Sequence, residues 1–264
     1  NSYSEGSVEG VNNVGGLVGQ VNANADIDEV YSTSRTWGSD NVGGLLGFVN
    51  TSGFNFTLDN AYTQGNVIGE NAVGGLIGSL YQGEITNVYT TGLIVGSNNT
   101  GGIIGEIVNA DVDDIVSITH AYYDTDTAFV DDAIGALLFE VFSLNTTADL
   151  DARLFEGNNQ SRTYTDTTGE SSITLTNVSG KTTTELQTQS TFTTAGWDFS
   201  NNRTGVDGQW YMLRSNAYPV LQIQHTNNIR TLTQLQLVNI DLTADYQLMN
   251  SIDAGETSIW NGGL

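Results

Sequence analysis

Residues 62–78 read Tyr62-Thr-Gln-Gly-Asn-Val-Ile-Gly69-Glu-Asn71-Ala-Val-Gly74-Gly75-Leu76-Ile77-Gly78, and the 17-residue pattern they define, Tyr-x6-Gly-x-Asx-x2-Gly-Gly-aliphatic-aliphatic-Gly, stands four times near the start of the chain. The copies run Tyr3 to Gly19, Tyr31 to Gly47, Tyr62 to Gly78 and Tyr89 to Gly105 without an internal gap. Gly10, Gly38, Gly69 and Gly96 share one column, and Asn12, Asp40, Asn71 and Asn98 share another. The paired glycines are Gly15 and Gly16, Gly43 and Gly44, Gly74 and Gly75, and Gly101 and Gly102, followed by Leu17, Leu45, Leu76 and Ile103. The period is 27 to 31 residues. Self-similarity of that length marks a solenoid in which each unit stacks only on its neighbours.

The stretches between blocks, 20–30, 48–61 and 79–88, hold 11, 14 and 10 residues. Length variation is therefore confined to one part of the turn, as expected when rigid segments stack in register and insertions are expelled to one face. The blocks are rich in Val, Ile, Thr, Tyr and Gly, and their short apolar runs are bounded by Gly, Asn, Asp and Ser, which is strand and turn chemistry. A helix would bear about 1 kcal/mol for every internal glycine. The composition predicts an all-β chain, stacked as a parallel β-helix.

In such a stack, equivalent residues form ladders about 4.8 Å apart along the axis. Val14, Val42, Val73 and Thr100 form one ladder and Leu17, Leu45, Leu76 and Ile103 another, both expected in the core. Residues three apart point to opposite faces of a regular strand, so the intervening Gly-Gly pair is expected to bend it. The Tyr column predicts aromatic stacking and the Asn/Asp column an Asx turn or amide ladder. Internal support is preferred over a ligand-binding stripe as the role of these columns.

The Gly-Leu-aliphatic-Gly core at Gly16 to Gly19, Gly44 to Gly47 and Gly75 to Gly78, with Ile103 for Leu in Gly102 to Gly105, resembles the GLUG motif of large bacterial surface proteins similar to filamentous haemagglutinin, many of them exported by two-partner secretion. Ala121-Tyr-Tyr-Asp124, Gly180-Lys-Thr-Thr183, Gly196-Trp-Asp-Phe199, Trp210 and Tyr218-Pro-Val-Leu221 resemble the segment that closes such repeats. The resemblance implies a right-handed β-helix forming the shaft of an extracellular adhesin, with roles in virulence or biofilm formation and a host-cell receptor, glycan or another bacterial surface as partner. It carries over no catalytic residues. The structural-repeat residues are Tyr3, Tyr31, Tyr62 and Tyr89, the Gly-Gly pairs, the following Leu or Ile, and Gly19, Gly47, Gly78 and Gly105.

Seven basic residues against 30 acidic ones leave a net charge of −23, which repels phosphate backbones and anionic lipid. No nucleic-acid partner is expected, and without an apolar run of about 18 residues no membrane insertion is expected either. There is no cysteine, so an exported chain would rest on its stacked core rather than on disulfides. The chain starts inside a repeat and is read as a fragment of a longer protein, monomeric as a fragment.

Four segments are expected: coils over 1–128, an insertion projecting from the solenoid over 129–179, a closing segment continuing the β-helix over 180–228, and the start of another module over 229–264. Within the insertion, Ala133, Ile134, Leu137, Leu138 and Val141 have helical spacing, and residues 172–178 alternate as a strand does. The insertion is the expected specialised surface. Thr182 with Glu185 and Thr231 with Gln234 fit capping boxes, the second of which would turn Leu235 and Val238 toward a core.

Chemistry was sought in the acidic clusters Asp111, Asp113 and Asp114, Asp124 and Asp126, and Asp131 and Asp132. Paired carboxylates serve polysaccharide lyases and hydrolases, but none of these clusters recurs at coil spacing as a groove would require. They are also candidate oxygen ligands for a structural Ca²⁺, although Asp124-Thr-Asp126 lacks the glycine and distal glutamate of an EF-hand loop. The Gly180-Lys181-Thr182 run lacks the first glycine of a phosphate loop, where Leu175 stands. His120 and His225 are the two histidines. Trp197, Trp210 and Trp260 are assigned to packing before sugar stacking. Asn-x-Ser/Thr sequons occur at Asn50, Asn55, Asn98, Asn145, Asn159, Asn177 and Asn202. The expectation is a non-enzymatic adhesin segment without catalytic residues, cofactor or metal ligands; a carbohydrate-active β-helix enzyme and a ligand-free spacer are the alternatives.

Overall fold

The computed structural model describes residues 2–51, 55–109, 115–139, 160–165, 172–200, 208–213 and 217–253. They fall into two compact units, Asn1–Thr183 and Thr184–Leu264. The first is a parallel β-solenoid of four full coils, as the repeat predicts. Its coils are β1 (Ser2–Ser4), β2 (Ser7–Glu9), β3 (Asn12–Gly15) and β4 (Val18–Val21), then β5 (Ala25–Ser32), β6 (Arg35–Trp37), β7 (Asp40–Gly43) and β8 (Leu46–Val49). The third is β9 (Phe56–Thr63), β10 (Val67–Ile68), β11 (Asn71–Gly74) and β12 (Ile77–Leu80), and the fourth β13 (Gly83–Thr90), β14 (Ile94–Val95), β15 (Asn98–Gly101) and β16 (Ile104–Asn109). Each strand pairs in parallel with its equivalent one coil on, giving four sheets, A to D, in the order the chain visits them.

The register is the one the columns imply. Tyr31 lies beside Tyr3 and Tyr62, Asn71 beside Asp40 and Asn98, and Gly74 beside Gly43 and Gly101. Sheet C strands end on the first glycine of the pair, and sheet D strands begin at the residue after the Leu/Ile column. The corner therefore falls on the second glycine and the Leu, and both ladders turn inward: Val42, Val73, Leu45, Leu76 and Ile103 are fully buried. Full burial of one such side chain contributes about 1.5–3 kcal/mol.

Steric necessity explains the glycines column by column. A Cβ on Gly43 or Gly74 would overlap the carbonyl oxygen of Leu46 or Ile77, three residues on, and one on Gly44 or Gly75 would overlap the carbonyl of Gly75 or Gly102 in the next coil. On Gly47, Gly78 or Gly105 it would meet the backbone between Asn13 and Val14, Asn41 and Val42, or Ala72 and Val73 in sheet C of the preceding coil. Sheets C and D thus touch backbone to backbone, at a distance no side chain can share.

The length variation is more local than the gap count suggested. Six residues of each connecting stretch, 25–30, 56–61 and 83–88, belong to the long strand of sheet A, and the length variation lies before that strand. The strands of sheet A at 25–32, 56–63, 83–90 and 115–124 were hidden because each is kinked by a left-handed residue, at Glu29, Asn60, Asn87 and His120, which breaks the period-2 pattern; the strand over 172–181 has the same kink at Asn177, beyond most of the alternation that the sequence shows from 172 to 178. Asn tolerates that conformation best among non-glycine residues.

After the fourth coil, β17 (Ile115–Asp124) continues sheet A, α1 (Thr125–Ala128) follows, and β18 (Ile134–Phe139) extends sheet D by pairing with β16. The helix expected from Ala133 to Val141 is therefore a strand over its described part. Ala133, Ile134 and Gly135 take the columns of Ile103, Ile104 and Gly105, and the carbonyl of Ala133 accepts from Ile103 N and Ile104 N. The open edge of β16 supplies partners that outweigh a helical spacing. Tyr122 to Gly135 is in effect a fifth repeat, 14 residues long instead of 17, with α1 in place of strands in sheets B and C.

From the expected insertion 129–179, then, β18 and most of β20 (Ser172–Lys181) belong to the coil; β20 pairs in parallel with β17, and β19 (Gln160–Thr165) adds an antiparallel edge. Residues 140–159 and 166–171 lie outside the described residues.

α2 (Thr183–Leu186) starts on the last residue of the first unit; in the second unit its remainder and α3 (Gln189–Thr193) precede an antiparallel pair, β21 (Trp210–Tyr211) with β22 (Val220–Leu221), then β23 (Asn228–Ile229), α4 (Leu232–Leu237) and β24 (Gln247–Leu248). Only Gly180 and Lys181 of the expected closing segment lie in a solenoid strand. The rest builds its own core: Phe192, Trp197, Phe199 and Trp210 pack with ring centroids 4.6–5.9 Å apart. The capping box at the start of α4 forms, Thr231 Oγ1 accepting from Gln234 N and Gln234 Oε1 from Thr231 N. Leu237 rather than Leu235 is the buried leucine of that helix.

Gly75→Ala is expected to cost at least about 3 kcal/mol in chemical denaturation, because backbone must move to admit the methyl. Gly10→Ala, which meets only the Val14 side chain in the first coil, should cost about 1 kcal/mol or less.

Candidate functional site

The repeat columns are occupied with support. The rings of Tyr3, Tyr31, Tyr62 and Tyr89 stack with centroids 5.1 Å apart and planes within 5° to 8°, and the last three are buried. Offset-stacked rings at this spacing contribute about 0.5–1.5 kcal/mol per pair beyond their burial. Tyr122 extends the register, and Lys181 ends the column with Nζ 5.7 Å from the Tyr122 ring centroid. Burial pushes the Tyr122 hydroxyl up to about 12.

The Asx column is an amide ladder, with Asn71 Nδ2 donating to Asp40 Oδ1 at 2.7 Å and Asn98 Nδ2 to Asn71 Oδ1 at 2.9 Å. The next position carries the left-handed residues Asn13, Asn41, Ala72 and Asn99, and Asn41 Nδ2 donates to Asn13 Oδ1 at 2.8 Å. A third support escaped the sequence reading. The residue after each Tyr is Ser4, Ser32, Thr63 or Thr90; the Thr63 hydroxyl donates to Gly75 O and that of Thr90 to Gly102 O, both at 2.7 Å. Each hydroxyl satisfies a carbonyl of the glycine corner. Its signal was present, since a small hydroxyl residue follows every Tyr of the four repeats.

The acidic clusters separate into different roles. Asp124 is fully buried and caps α1, its Oδ1 accepting from Asp126 N at 3.0 Å, while both its carboxylate oxygens accept from Thr183 Oγ1 at 2.8–3.0 Å. Asp126 Oδ2 accepts from Thr183 N at 2.9 Å. This carboxylate pair is thus spent fastening the end of β20 to the start of α1. Asp131 and Asp132 act through their backbone, accepting from Tyr123 Oη at 2.6 Å and Gly102 N at 2.7 Å; burial, then Asp132 and Asp131, push the Tyr123 hydroxyl up to about 12, so it remains a donor. Asp111, Asp113 and Asp114 lie outside the described residues, as does Trp260. Among the described residues no three His, Cys, Asp or Glu side chains converge as a metal site. His120 holds a left-handed position in sheet A, and His225 Nε2 lies 2.8 Å from Tyr246 Oη in the second unit.

The outward faces differ from coil to coil. On sheet A, Asp26, Asp28, Asp59 and Glu84 make an acidic surface, with Asp28 and Asp59 side by side in register. On sheet B one outward column reads Glu9, Trp37, Ile68 and Val95, with Trp37 51% and Val95 44% exposed. Trp37 was absent from the aromatic candidates because nothing in its spacing distinguishes an outward from an inward ring. Trp197 and Trp210, by contrast, are buried as packing residues.

Residues 69–96 match the family model of the GLUG motif, a span that runs from one member of the Gly69 and Gly96 column to the next and so covers one coil. Comparison with curated proteins and with solved structures returns no match. No helix among the described residues is long and apolar enough to cross a membrane.

Asp59 makes the acidic face pH-sensitive. Burial is the largest cause raising its carboxyl above the ordinary aspartate value, with Asp28 and Asp26 adding to it and hydrogen bonds from Asn60 N and Asn87 Nδ2 opposing it. A carboxyl raised by folding costs stability above its folded pKa, and that cost fades as pH falls toward the unfolded value of about 4. Asp59→Asn retains an acceptor oxygen and is expected to raise the thermal midpoint at pH 7 by about 1–3 °C. Scans at successive pH values should show the difference closing as pH approaches 4, and salt should narrow it at pH 7.

Proposed function

We propose that this chain is a non-catalytic binding segment of an extracellular bacterial surface protein, attaching its parent to host cells, surfaces or neighbouring bacteria. The GLUG motif at residues 69–96 and the β-solenoid are compatible with an adhesin-like repeat protein. One observation carries the reading. The residues that recur in the repeat are engaged within the coil itself: the Gly-Gly pairs and the last glycine by backbone contact, the first glycine column by the side chains of the Val column, tyrosines by stacking, Asx residues by a ladder, and the Thr63 and Thr90 hydroxyls by corner carbonyls. What varies from coil to coil is the outward surface. A rod with a constant interior and a variable exterior is suited to presenting contacts at fixed spacing along one axis, the use that solenoids make of their extended faces.

The chemistry on those faces supports binding before turnover. The acidic pair Asp124 and Asp126 is engaged by Thr183. The net charge of −23 favours partners that are not themselves strongly anionic. We assign the chain no cofactor and a monomeric state.

Fluorescently labelled chain is expected to bind epithelial or bacterial cells saturably, in competition with unlabelled chain, and to lose binding after thermal unfolding. Absence of saturable binding to either cell type would count against attachment. Incubation with neutral and acidic polysaccharides should release neither reducing ends nor unsaturated products; turnover abolished by an aspartate substitution would overturn the non-catalytic assignment.

A further inference from the structure

Sheet B presents an exposed large aromatic ring beside exposed polar side chains on an outward face of the solenoid. Trp37 alternates on β6 with Arg35, and both are exposed while Thr36 between them is buried. In register, Trp37 is flanked along the axis by Glu9 and Ile68, with Val95 one coil beyond, and Arg35 by Ser7, with Asn66 exposed on the far side. Among the described residues, the side chains of Trp37, Arg35 and Glu9 make no hydrogen bond, ion pair or ring contact with another side chain.

We propose that this face is a glycan-binding strip whose ligand is a neutral, linear oligosaccharide lying along the solenoid axis, with one sugar ring stacked on Trp37. The proposal rests on the surface-binding reading above and names its partner class. The shape of the face selects the occupant. Sheet B strands are two or three residues long, so the strip is about 7–10 Å wide, and four rungs make it about 14 Å long. Its area is on the order of 150 Å², against about 800 Å² that each partner of a stable protein interface buries. A narrow strip with one flat ring fits a linear chain of pyranose rings. The Trp37 face takes the C–H side of a sugar, while Arg35, Asn66, Ser7 and Glu9 supply donors and acceptors at the ring edge, the division of labour seen wherever an amphipathic ring meets a polar ligand.

Charge selects the neutral class. Arg35 and Glu9 cancel beside Trp37, so the strip has no net sign of its own, and the field of the whole chain repels uronate-rich or sialylated polymers. Ile68 and Val95 continue the apolar column past Trp37 and would contact the next sugar units with their methyl groups.

The test is titration of the full ¹⁵N-labelled chain with cellohexaose, chitohexaose and maltohexaose, using an oligogalacturonate as the acidic comparison. At least one neutral hexasaccharide is expected to shift the Trp37 indole N–H resonance saturably. Trp37→Ala should weaken binding about tenfold or more, as loss of an aromatic anchor does, and Arg35→Ala should weaken it severalfold. Because both side chains are exposed, the thermal midpoint should stay unchanged, which separates lost contact from lost fold. Failure of all three neutral probes, binding indifferent to Trp37→Ala, or preference for the oligogalacturonate would each overturn the proposal. Cell attachment that persists in Trp37→Ala would overturn the strip while leaving the surface-binding reading in place; absence of attachment by the wild-type chain would overturn the broader reading itself.

Discussion

Backbone contact between sheets C and D is the constraint from which the remaining architecture follows. The two sheets meet at glycines: Gly78 lies against the peptide joining Asn41 and Val42, and Gly105 against that joining Ala72 and Val73. At this distance a single methyl group would collide with main chain, so three glycine columns recur where sterics demand them. The close approach also fixes the corner. With no side chain on Gly44 or Gly75, the chain folds over sharply enough for the following Leu to point inward beside the Val column, and both are sealed from water.

So tight a corner leaves polar groups that need partners, and the neighbouring columns supply them. Thr63 and Thr90 donate to glycine carbonyls of the corner, and Asn and Asp side chains hydrogen-bond up the stack in two adjacent columns. The end of the coil shows the same logic in reverse. Where the glycine pair is replaced by Asp131 and Asp132, the rung shortens, Tyr123 stands in register with Thr90, and its ring packs against Gly102. Lys181 over Tyr122 and the hydrogen bonds of Thr183 to Asp124 and Asp126 then close the column.

This division of labour separates stability from recognition. The recurring residues hold each coil on the next, and none of them is left over for a ligand. Outward positions carry no such obligation, which is why one face of the rod can be acidic, as on sheet A, and another can present Trp37 with an unpaired Arg35, as on sheet B. Asp124 and Asp126, which resemble a catalytic or metal-binding pair in one dimension, are engaged as a cap and a clasp in three, and the exposed ring that invites a ligand belongs to no motif.

By itself the sequence determined the coil: the solenoid class, its register, the buried Val and Leu ladders, the Tyr stack and the Asx ladder all follow from columns spaced one period apart, because stacked coils turn sequence equivalence into spatial adjacency. It also determined the capping box of α4 and the packing role of Trp197 and Trp210. Tertiary structure decided the rest. The sheet A strands β5, β9, β13 and β17 escaped a period-2 reading because a left-handed residue kinks each of them. Residues 134–139, helical in spacing, became a strand because the open edge of β16 offers main-chain partners that outweigh local periodicity. Whether an aromatic ring faces core or solvent depends on which side of a pleat it occupies, and for Trp37 that was settled only when Thr36 took the inward position.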